Sequence, residues 1–367
     1  MSRTSRRHFL RHSAAAALAA PFIRTSITRA LAEEARPKLG WALVGLGRLA
    51  EGQIAPALGK TKHCRLAGLV TGSPSKVGAW KARYAIPDEN VYSYDTMAEM
   101  AGNPDIDVVY IATPNAFHDG QAIAAARAGK HVFCEKPMAV SVERCRKMID
   151  ACDAADRKLA VAYRCQYDPH HLEMIRLARE KTFGAVRVIE SSFGFTIGDP
   201  GQWRLKKQLA GGGALMDVGI YCLQASRYIS GEEPVAVSAV ETKTDPVKFA
   251  EVDETISWHA TFPSGLVASC ATTYNAQGMA HVKAHAEHGW FGLDPAFHYS
   301  GIKGARSDGK PLAFPAIDMF TAEMDDFARC IVEDRESKVS GAEGLRDVKL
   351  MMAIYRSART GRTVKAA

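Results

Sequence analysis

The chain has 367 residues, of which 47% are hydrophobic and 24% are charged. This balance is typical of a globular protein and excludes a disordered, collagen-like or multispan membrane protein, and the length predicts two domains of roughly 100 to 200 residues each. Residues 1–32 contain six arginines and no acid, so the net charge of +7 leaves only +1 on the other 335 residues, which carry no basic surface for a nucleic acid.

The amino terminus has the pattern of an export signal. Arg6 and Arg7 precede Phe9 and Leu10, an apolar run follows, and residues 30–32 read Ala-Leu-Ala, like a cleavage site. This order resembles a bacterial twin-arginine signal, which directs folded proteins to the periplasm. We therefore predict a signal peptide over residues 1–32 and a periplasmic mature protein. The alternatives are a disordered basic arm and a membrane anchor, but the apolar run is far shorter than the roughly 20 residues of a spanning helix.

Short strands and helices alternate after the signal. The predicted elements are strands Gly40 to Val44, Arg65 to Thr71, Val108 to Ala112, His131 to Cys134 and Leu159 to Tyr163, and helices that end near Lys60 or span Lys76 to Tyr84, Asp119 to Ala128 and Val142 to Ala155. Strict alternation predicts an α/β domain with a doubly wound parallel sheet, which we place at residues 33–160.

Longer strands dominate residues 161–367, the second predicted domain. They are Ala185 to Phe195, Val235 to Thr242, Thr255 to Phe262, Leu266 to Tyr274 and His281 to Trp290. Their alternating character predicts an α+β domain with a large, mainly antiparallel sheet that has one covered face. Two helices, Met319 to Glu333 and Glu343 to Ala358, are predicted to close the chain.

The cysteines and one histidine cluster show no metal-binding pattern. The chain has neither a C-x-x-C pair nor zinc spacing. Because a protein with a twin-arginine signal completes its folding in the cytoplasm, we predict buried thiols instead of disulfides. The eight cysteines are Cys64, Cys134, Cys145, Cys152, Cys165, Cys222, Cys270 and Cys330. His281, His285 and His288 lie in a segment with the period of a strand, so no metal site is predicted there.

The first chemical motif is a glycine turn between the first strand and the first helix. Gly45-x-Gly47-x-x-Ala50 has the spacing at which backbone N–H groups approach a dinucleotide pyrophosphate, with Arg48 and Leu49 inside the turn. Tight strand-to-helix turns use glycine in any case, and it is the position within a run of βα units that favours nucleotide binding. We predict that this turn binds the cofactor.

The end of the second strand indicates which nucleotide binds. An NAD site has an acid there, but no acid occurs from Gly52 through Pro87. Ser73 and Lys76 instead offer a hydroxyl and a cation to the 2′-phosphate of NADP. The alternative is that Ser73 only caps the next helix and that Lys76 is solvated.

Polar residues also follow two further strands at the carboxyl edge of the sheet, where ligands bind. Glu135 and Lys136 precede a proline, which favours an extended backbone at Lys136 and directs its side chain into the crevice. Thr113, Asn115 and His118 follow the neighbouring strand and form a second wall of the predicted site.

The last motif is a glycine turn that leads into a helix over residues 211–221. Asp217 and Tyr221 are four residues apart and therefore share one helix face. Taken alone, a helical tyrosine is more often part of the core, and an aspartate near a helix start more often stabilises the helix dipole.

In this order, the motifs resemble those of the glucose-fructose oxidoreductase, inositol dehydrogenase and MocA family over Leu39 to Val364. The resemblance implies a Rossmann domain followed by an open-faced sheet that packs against a second copy, and hence a homodimer or larger assembly. Most relatives have histidine at the position of Tyr221. The tyrosine, Trp203-Arg204 and the export signal resemble the glucose-fructose branch, which includes bacterial aldose-aldose oxidoreductases.

The same resemblance implies roles for individual residues. Lys136 and Tyr221 would be the catalytic pair, and Asp217 would orient the sugar. The remaining implied cofactor contacts are Tyr94, Thr113, Asn115, His118, Arg164, Trp203 and Arg204.

The catalytic pair is chemically reasonable. A phenol with a pKa of about 10 is a poor base at neutral pH unless its anion is stabilised, and an ammonium within about 4 to 6 Å stabilises it. Tyr221 is therefore predicted to be the general acid and base, with Lys136 as its electrostatic partner.

The predicted location constrains the reaction cycle. An exported enzyme has no cytoplasmic NADP pool, so we predict a retained NADP that serves two sugars in turn: one aldose is oxidised to its lactone and a second sugar is reduced to an alditol. Two alternatives stay open, an NADP-dependent sugar dehydrogenase with an exchangeable cofactor and a non-catalytic sugar-binding module.

Overall fold

The computed structural model describes residues 38–366. The predicted signal peptide lies outside this range. Within it, no helix combines the length and the apolar character needed to cross a membrane.

Six parallel strands form the first sheet. They are β1 (Leu39–Val44), β2 (Cys64–Val70), β3 (Val91–Tyr92), β4 (Val108–Ile111), β5 (His131–Cys134) and β6 (Leu159–Val161). Their spatial order is β3-β2-β1-β4-β5-β6, and every neighbouring pair is parallel. The order reverses beside β1, which opens a crevice at the carboxyl ends of β1 and β4. The predicted doubly wound parallel sheet is confirmed.

Helices connect these strands and supply the site with its backbone turns. They are α1 (Ala55–Leu58), α2 (Pro74–Tyr84), α3 (His118–Arg127) and α4 (Val142–Ala154). A π-helical turn, Ala50–Ile54, leads directly into α1. The π-helical turn therefore begins six residues after the end of β1, close enough for a phosphate-binding turn.

Eight strands form the second sheet. They are β7 (Val186–Gly194), β8 (Ala236–Thr242), β9 (Thr255–Thr261), β10 (Val267–Thr273), β11 (Met279–Ala286), β12 (Gly289–Leu293), β13 (Gly304–Arg306) and β14 (Val364–Lys365). Among its neighbouring pairs, β7 and β10 are parallel and the others are antiparallel. Ile256, Trp258 and Ala260 of β9 are buried and alternate with exposed residues. The predicted mainly antiparallel sheet with one covered face is confirmed.

Five further helices complete the described chain. They are α5 (Pro169–Arg179), α6 (Lys207–Ala210), α7 (Ile220–Ser230), α8 (Met319–Val332) and α9 (Gly341–Thr360). Helix α7 lies against β7 and β10, and α9 lies against β8. Helix α8 instead returns to the first sheet, where the Phe327 ring lies 5.2 Å from that of Phe133 and 6.1 Å from that of Trp41.

The prediction of one strand from His281 to Trp290 is wrong. The segment is a hairpin in which β11 and β12 pair from Ala286 and Gly289 onward, with Glu287 and His288 as the two-residue turn. The buried positions change across the turn, from Val282 and Ala284 to Phe291 and Leu293, but this change lies at the end of the predicted segment, where Trp290 continues the apolar alternation by residue type. The eight cysteines, by contrast, are all buried as predicted, and Cys134, Cys145, Cys152, Cys165, Cys222, Cys270 and Cys330 are free thiols.

A buried ion-pair network fixes α7, which carries part of the site, against α9. The Arg227 guanidinium contacts Asp347 Oδ1 at 2.7 Å and Glu343 Oε2 at 3.0 Å. Gln224 Nε2 donates to the other Asp347 oxygen at 2.7 Å. The Asp347 side chain is 0% exposed, so its charge is balanced entirely inside the protein.

We predict that Asp347→Ala lowers the free energy of unfolding by about 3 kcal/mol, because it leaves the buried Arg227 charge without its best partner. Urea denaturation measures the loss. Asp334→Ala is the matched control: it removes an ion pair of similar length, 2.8 Å to Lys158, but the Asp334 side chain is 94% exposed. The control should lose less than about 1 kcal/mol. Equal losses for the two variants would contradict the assigned role of Asp347.

Candidate active site between the two sheets

The glycine turn after β1 leaves room for a nucleotide. Gly45 has a φ of +90°, and a Cβ there would lie 2.9 Å from Thr113 Cγ2. A Cβ at Gly47 would meet no atom within 4 Å. Gly45 is therefore required by the fold, whereas Gly47 keeps the backbone accessible for phosphate groups. This observation shows that the turn fits a dinucleotide.

The predicted ribose-binding residues lie exposed beside that turn. Ser73 stands at the N-cap of α2, but its side chain accepts no bond from the helix, so the capping alternative is not what the structure shows. Lys76 Nζ donates to the Leu46 carbonyl at 2.6 Å, which ties α2 to the glycine turn. The Tyr94 ring lies directly over Gly72, where a Cβ would come within 2.9 Å of it.

The second wall is built from buried side chains that mainly hold backbone segments together. Asn115 Nδ2 donates to the Ala210 carbonyl at 2.9 Å and so joins this wall to the second half of the chain. The His118 ring nitrogens lie 2.9 Å and 3.0 Å from the carbonyl oxygens of Thr113 and Pro137. Because His118 is 0% exposed, its ring braces the two walls and does not face the crevice.

The side chains of Glu135 and Lys136 point in opposite directions and have different contacts. Glu135 is buried behind the crevice, where its carboxylate accepts bonds from the Tyr110 hydroxyl at 3.0 Å and from the Lys136 backbone N–H at 3.2 Å. Burial raises the pKa of Glu135, an effect that the Lys136 charge opposes. The Lys136 side chain points the other way, toward the second sheet.

Three side chains converge on Asp217. Lys136 Nζ donates to Asp217 Oδ1 at 3.0 Å and to its carbonyl oxygen at 2.6 Å. Arg204 Nε and the Tyr274 hydroxyl each donate to Oδ2 at 2.9 Å. Burial by itself would raise the pKa of Asp217, but Arg204 and Lys136 outweigh it and hold that pKa well below the ordinary value. Asp217 is therefore a permanent carboxylate.

Tyr221 lies beside this pair, as the four-residue spacing predicts. The Lys136 ammonium lies 5.0 Å from the centroid of the Tyr221 ring, and the Arg164 guanidinium carbon lies 4.9 Å from the same centroid. Phe193 and Phe297 pack against the ring at centroid distances of 5.4 and 5.8 Å. Burial raises the pKa of Tyr221, and Arg164 is the charge that most opposes this rise.

Arg164 was predicted to contact the cofactor, but in the structure it lies among backbone carbonyl groups beside Tyr221. Its guanidinium donates to the Phe297 carbonyl at 2.6 Å and to the His298 carbonyl at 3.2 Å, and it lies 4.7 Å from the Tyr299 ring. These contacts fix a buried cation beside Tyr221. The phenol therefore has two neighbouring cations, Lys136 and Arg164, where the sequence predicts one.

Sequence reasoning missed three residues of the site. Tyr274 follows β10, and Phe297 and Tyr299 lie in the segment after β12. None of them belongs to a local motif, so no signal in the sequence marked them. Trp203 was predicted, and its ring packs on Arg204 at 4.6 Å, which orients the guanidinium toward Asp217.

This arrangement can move a proton at a substrate oxygen. It combines a phenol with two adjacent cations, a lysine that can donate a hydrogen bond, and a carboxylate that can accept from hydroxyl groups. The site lies at the crevice of the parallel sheet, next to the glycine turn, and so within the region in which a dinucleotide is held in this fold.

We predict that Gly47→Ala folds normally but weakens nucleotide binding about tenfold, which equals about 1.4 kcal/mol, because the new methyl group occupies the space left for the phosphates. Calorimetric titration of nucleotide-free protein measures the affinity. Gly45→Ala should instead lower the Tm, because a left-handed backbone costs a residue with a Cβ about 1 to 2 kcal/mol. Unchanged affinity in Gly47→Ala would show that the phosphates lie elsewhere.

Three family models match successive parts of the chain. Residues 39–163 match the "Oxidoreductase family, NAD-binding Rossmann fold". Residues 171–292 match the "GFO/IDH/MocA C-terminal domain", and residues 312–366 match the "Oxidoreductase family, C-terminal alpha/beta domain".

Known proteins of this family resemble the chain over most of its length. A crystal structure of aldose-aldose oxidoreductase from Caulobacter crescentus, complexed with glycerol, is 45% identical with a TM-score of 0.86 and covers 90% of this chain and 100% of its own. The D-xylose 1-dehydrogenase [NADP(+)] of Haloarcula marismortui is 30% identical over 89% of this chain and 92% of its own. The Rhizobium meliloti inositol 2-dehydrogenase is 25% identical over 89% and 99%. The chain therefore belongs to the GFO/IDH/MocA family of nucleotide-binding oxidoreductases, as its motifs predict.

Proposed function

We propose that this protein is an NADP-containing aldose oxidoreductase that oxidises one aldose to its aldonolactone and reduces a second sugar to an alditol. One observation carries the proposal: the Lys136 ammonium, which follows the first sheet, donates to the Asp217 carboxylate at 3.0 Å and lies 5.0 Å from the centroid of the Tyr221 ring. The 45% identity to an aldose-aldose oxidoreductase supports the choice of substrate class.

Tyr221 is the general acid and base. Oxidation of a sugar carbinol requires that a proton leave the same oxygen whose carbon loses a hydride, and reduction requires the reverse. The phenol takes or returns this proton, and the charges of Lys136 and Arg164 stabilise its anion. Since burial raises the pKa of Tyr221, the base form becomes more abundant as the pH rises, and sugar oxidation should accelerate toward alkaline pH.

Lys136 and Asp217 position the sugar. Lys136 keeps hydrogen-bonding capacity beyond its bonds to Asp217, because an ammonium has three donors. Asp217, ionised at all relevant pH values, accepts from the hydroxyl groups next to the reacting carbon. Arg204 and Tyr274 hold that carboxylate in one orientation, so that the sugar meets a preorganised acceptor.

The glycine turn, Ser73, Lys76 and Tyr94 would hold the nucleotide. Bound nicotinamide supplies the hydride acceptor and donor. NADP is favoured over NAD because a hydroxyl and an ammonium stand where an NAD site has an acid. The Haloarcula relative is named for NADP(+), whereas a 24% identical levoglucosan dehydrogenase structure contains NADH, so this preference is a property of the individual chain.

The retained cofactor, the periplasmic location and a homodimer are part of the proposal. The predicted twin-arginine signal supports export after folding. The homodimer rests on the resemblance to the family, in which the open sheet face packs against a second copy. The second candidate, a dehydrogenase that exchanges its NADP, is favoured by the likeness to D-xylose 1-dehydrogenase.

The deciding experiment is the absorbance spectrum of extensively dialysed protein before and after the addition of glucose. Retained cofactor predicts a nucleotide band that shifts with glucose alone and returns on addition of a second sugar, and the rate of the shift should rise with pH. Protein without nucleotide that turns over only with added NADP would favour the exchangeable dehydrogenase. The control is Tyr221→Phe, which should keep the nucleotide but slow the shift by about 100-fold or more. Unchanged activity in this variant would exclude Tyr221 as the acid and base.

Ser73→Asp tests the cofactor preference. An aspartate at the end of β2 would repel a 2′-phosphate and accept from a ribose 2′-hydroxyl, so the ratio of NADP to NAD binding should fall by about tenfold or more. Ser75→Asp adds the same charge two residues later at an equally exposed position and is the matched control. Calorimetry with both nucleotides measures the ratio. A similar fall in both variants would mean that general repulsion, and not the Ser73 position, sets the preference.

A further inference from the structure

The glycine turn in front of Asp217 has a feature that the mechanism above does not use. A Cβ at Gly212 would overlap the Tyr355 hydroxyl group of α9. A Cβ at Gly213 would overlap the Asp253 carbonyl group, in the segment before β9. These two glycines therefore let two distant parts of the chain approach the backbone that leads to Asp217.

The Asp253 carboxylate accepts three hydrogen bonds at this turn. The Gly213 N–H donates to Oδ1 at 2.6 Å, and the Leu215 N–H donates to Oδ2 at 2.8 Å. The Tyr355 hydroxyl also donates to Oδ1, at 2.6 Å. Asp253 is only 3% exposed, and its charge lies at the start of the helical segment, where the positive end of the helix dipole stabilises an anion.

Backbone bonds carry this contact to Asp217. The Gly213 residue that donates its N–H to Asp253 also accepts, through its carbonyl oxygen, from the Asp217 N–H at 3.2 Å. Leu215, the second residue held by Asp253, begins the π-helical turn Leu215–Gly219 that contains Asp217. A π-helical turn is a rare form that occurs mostly at functional sites, so anchoring from outside the helix helps to maintain it here.

The residue after Asp253 holds Asp217 from its other side. The Glu254 carbonyl oxygen accepts from the Tyr274 N–H at 2.9 Å, and the Tyr274 hydroxyl donates to Asp217 Oδ2 at 2.9 Å. The Glu254 carboxylate accepts from the hydroxyl and the backbone N–H of Thr244 at 2.7 and 2.8 Å, which anchors the segment to the loop after β8. One dipeptide therefore holds both the backbone of Asp217 and the tyrosine that orients its carboxylate.

We propose that Asp253 is a positioning residue, which sets the orientation of Asp217 and thereby the selection of sugars with a hydroxyl group next to the reacting carbon. The proposal rests on the proposed function, in which Asp217 accepts a hydrogen bond from that hydroxyl. Since Asp253 is almost fully buried, it acts through the backbone of Gly213 and Leu215 and not by contact with the sugar.

The contacts of Asp217 make its orientation sensitive to a shift of this turn. One ammonium, that of Lys136, binds both the Asp217 carbonyl oxygen at 2.6 Å and the carboxylate at 3.0 Å. A movement of the backbone therefore changes the bond to the side chain as well. Misplacement of a positioning group by about 1 Å can cost about 100-fold in rate. Removal of the Asp253 contacts should thus act on the sugar and leave the nucleotide turn at Gly45 unaffected.

The test compares glucose with 2-deoxyglucose, which lacks the hydroxyl group next to the reacting carbon. The unmodified protein should prefer glucose by about tenfold or more in kcat/KM, the usual effect of a hydrogen bond to a charged group. Asp253→Asn keeps the shape of the side chain but replaces one acceptor oxygen by an NH2 group, which cannot accept from an N–H. It should reduce the preference to about twofold, through a higher KM for glucose, with unchanged nucleotide affinity in calorimetry. An equal loss on both sugars would indicate a merely structural role and overturn the proposal.

Two tyrosine variants keep the test decisive if Asp253→Asn does not fold. Tyr355→Phe removes one bond to Asp253 and leaves the two backbone bonds, so the preference for glucose should fall by about threefold. Tyr228→Phe is the matched control: it removes a hydroxyl bond to another carboxylate, Glu343 Oε2 at 3.1 Å, from a tyrosine that is also half-buried. This control should leave the preference unchanged. An unchanged preference in Tyr355→Phe, or an equal fall in both tyrosine variants, would overturn the assigned role of Asp253.

Hydrogen exchange tests the Asp253 contacts without any sugar. Amides of residues 213–217 should exchange about tenfold faster in Asp253→Asn than in the unmodified protein, because one of the two backbone N–H groups loses its acceptor. Amides of β5 in the first sheet serve as the internal reference and should not change. Unchanged exchange over residues 213–217 would overturn the proposal at its first step. If the unmodified protein oxidises neither sugar, the proposed function fails, and the exchange rates still decide whether Asp253 holds the turn.

Discussion

The ion pair between Lys136 and Asp217 is the contact on which the site depends. Lys136 follows β5 of the first sheet, and Asp217 precedes α7, which packs on the second. The pair measures 3.0 Å, and both side chains are less than one fifth exposed, so removing either partner would leave a poorly solvated charge. The pair therefore sets the distance between the two halves of the crevice and carries the Lys136 ammonium over the Tyr221 ring.

The charges around this contact are arranged in layers. Facing the crevice, Asp217 is balanced by Lys136 and Arg204. Behind it, Arg164 stands among backbone carbonyls and near two buried carboxyls, Glu135 and Glu323, whose pKa values burial raises. Glu323 comes from α8 and is 0% exposed, and this burial raises its pKa well above the ordinary value. A site whose cations are this firmly anchored needs little reorganisation when charge develops on the phenol.

Most of the fold could be predicted from the sequence because it follows from local periodicity. β5 has the predicted bounds, His131–Cys134, and α4 differs from its predicted end by one residue, at Ala154. The glycine turn, the Lys136 motif and the four-residue spacing of Asp217 and Tyr221 were likewise local patterns. The hairpin turn at Glu287 and His288 was not predicted because the change in the buried positions becomes visible only at Phe291, beyond the predicted segment.

The sequence by itself determined which residue types stand at the ends of which strands, and with them the fold class and the four-residue spacing of Asp217 and Tyr221. Only the tertiary structure decided that Arg164 stands beside Tyr221 and that Tyr274 holds Asp217. The physical reason is the distance along the chain over which each effect acts. Periodicity and spacing act over a few residues, whereas a pKa depends on burial and on charges that arrive from distant parts of the chain.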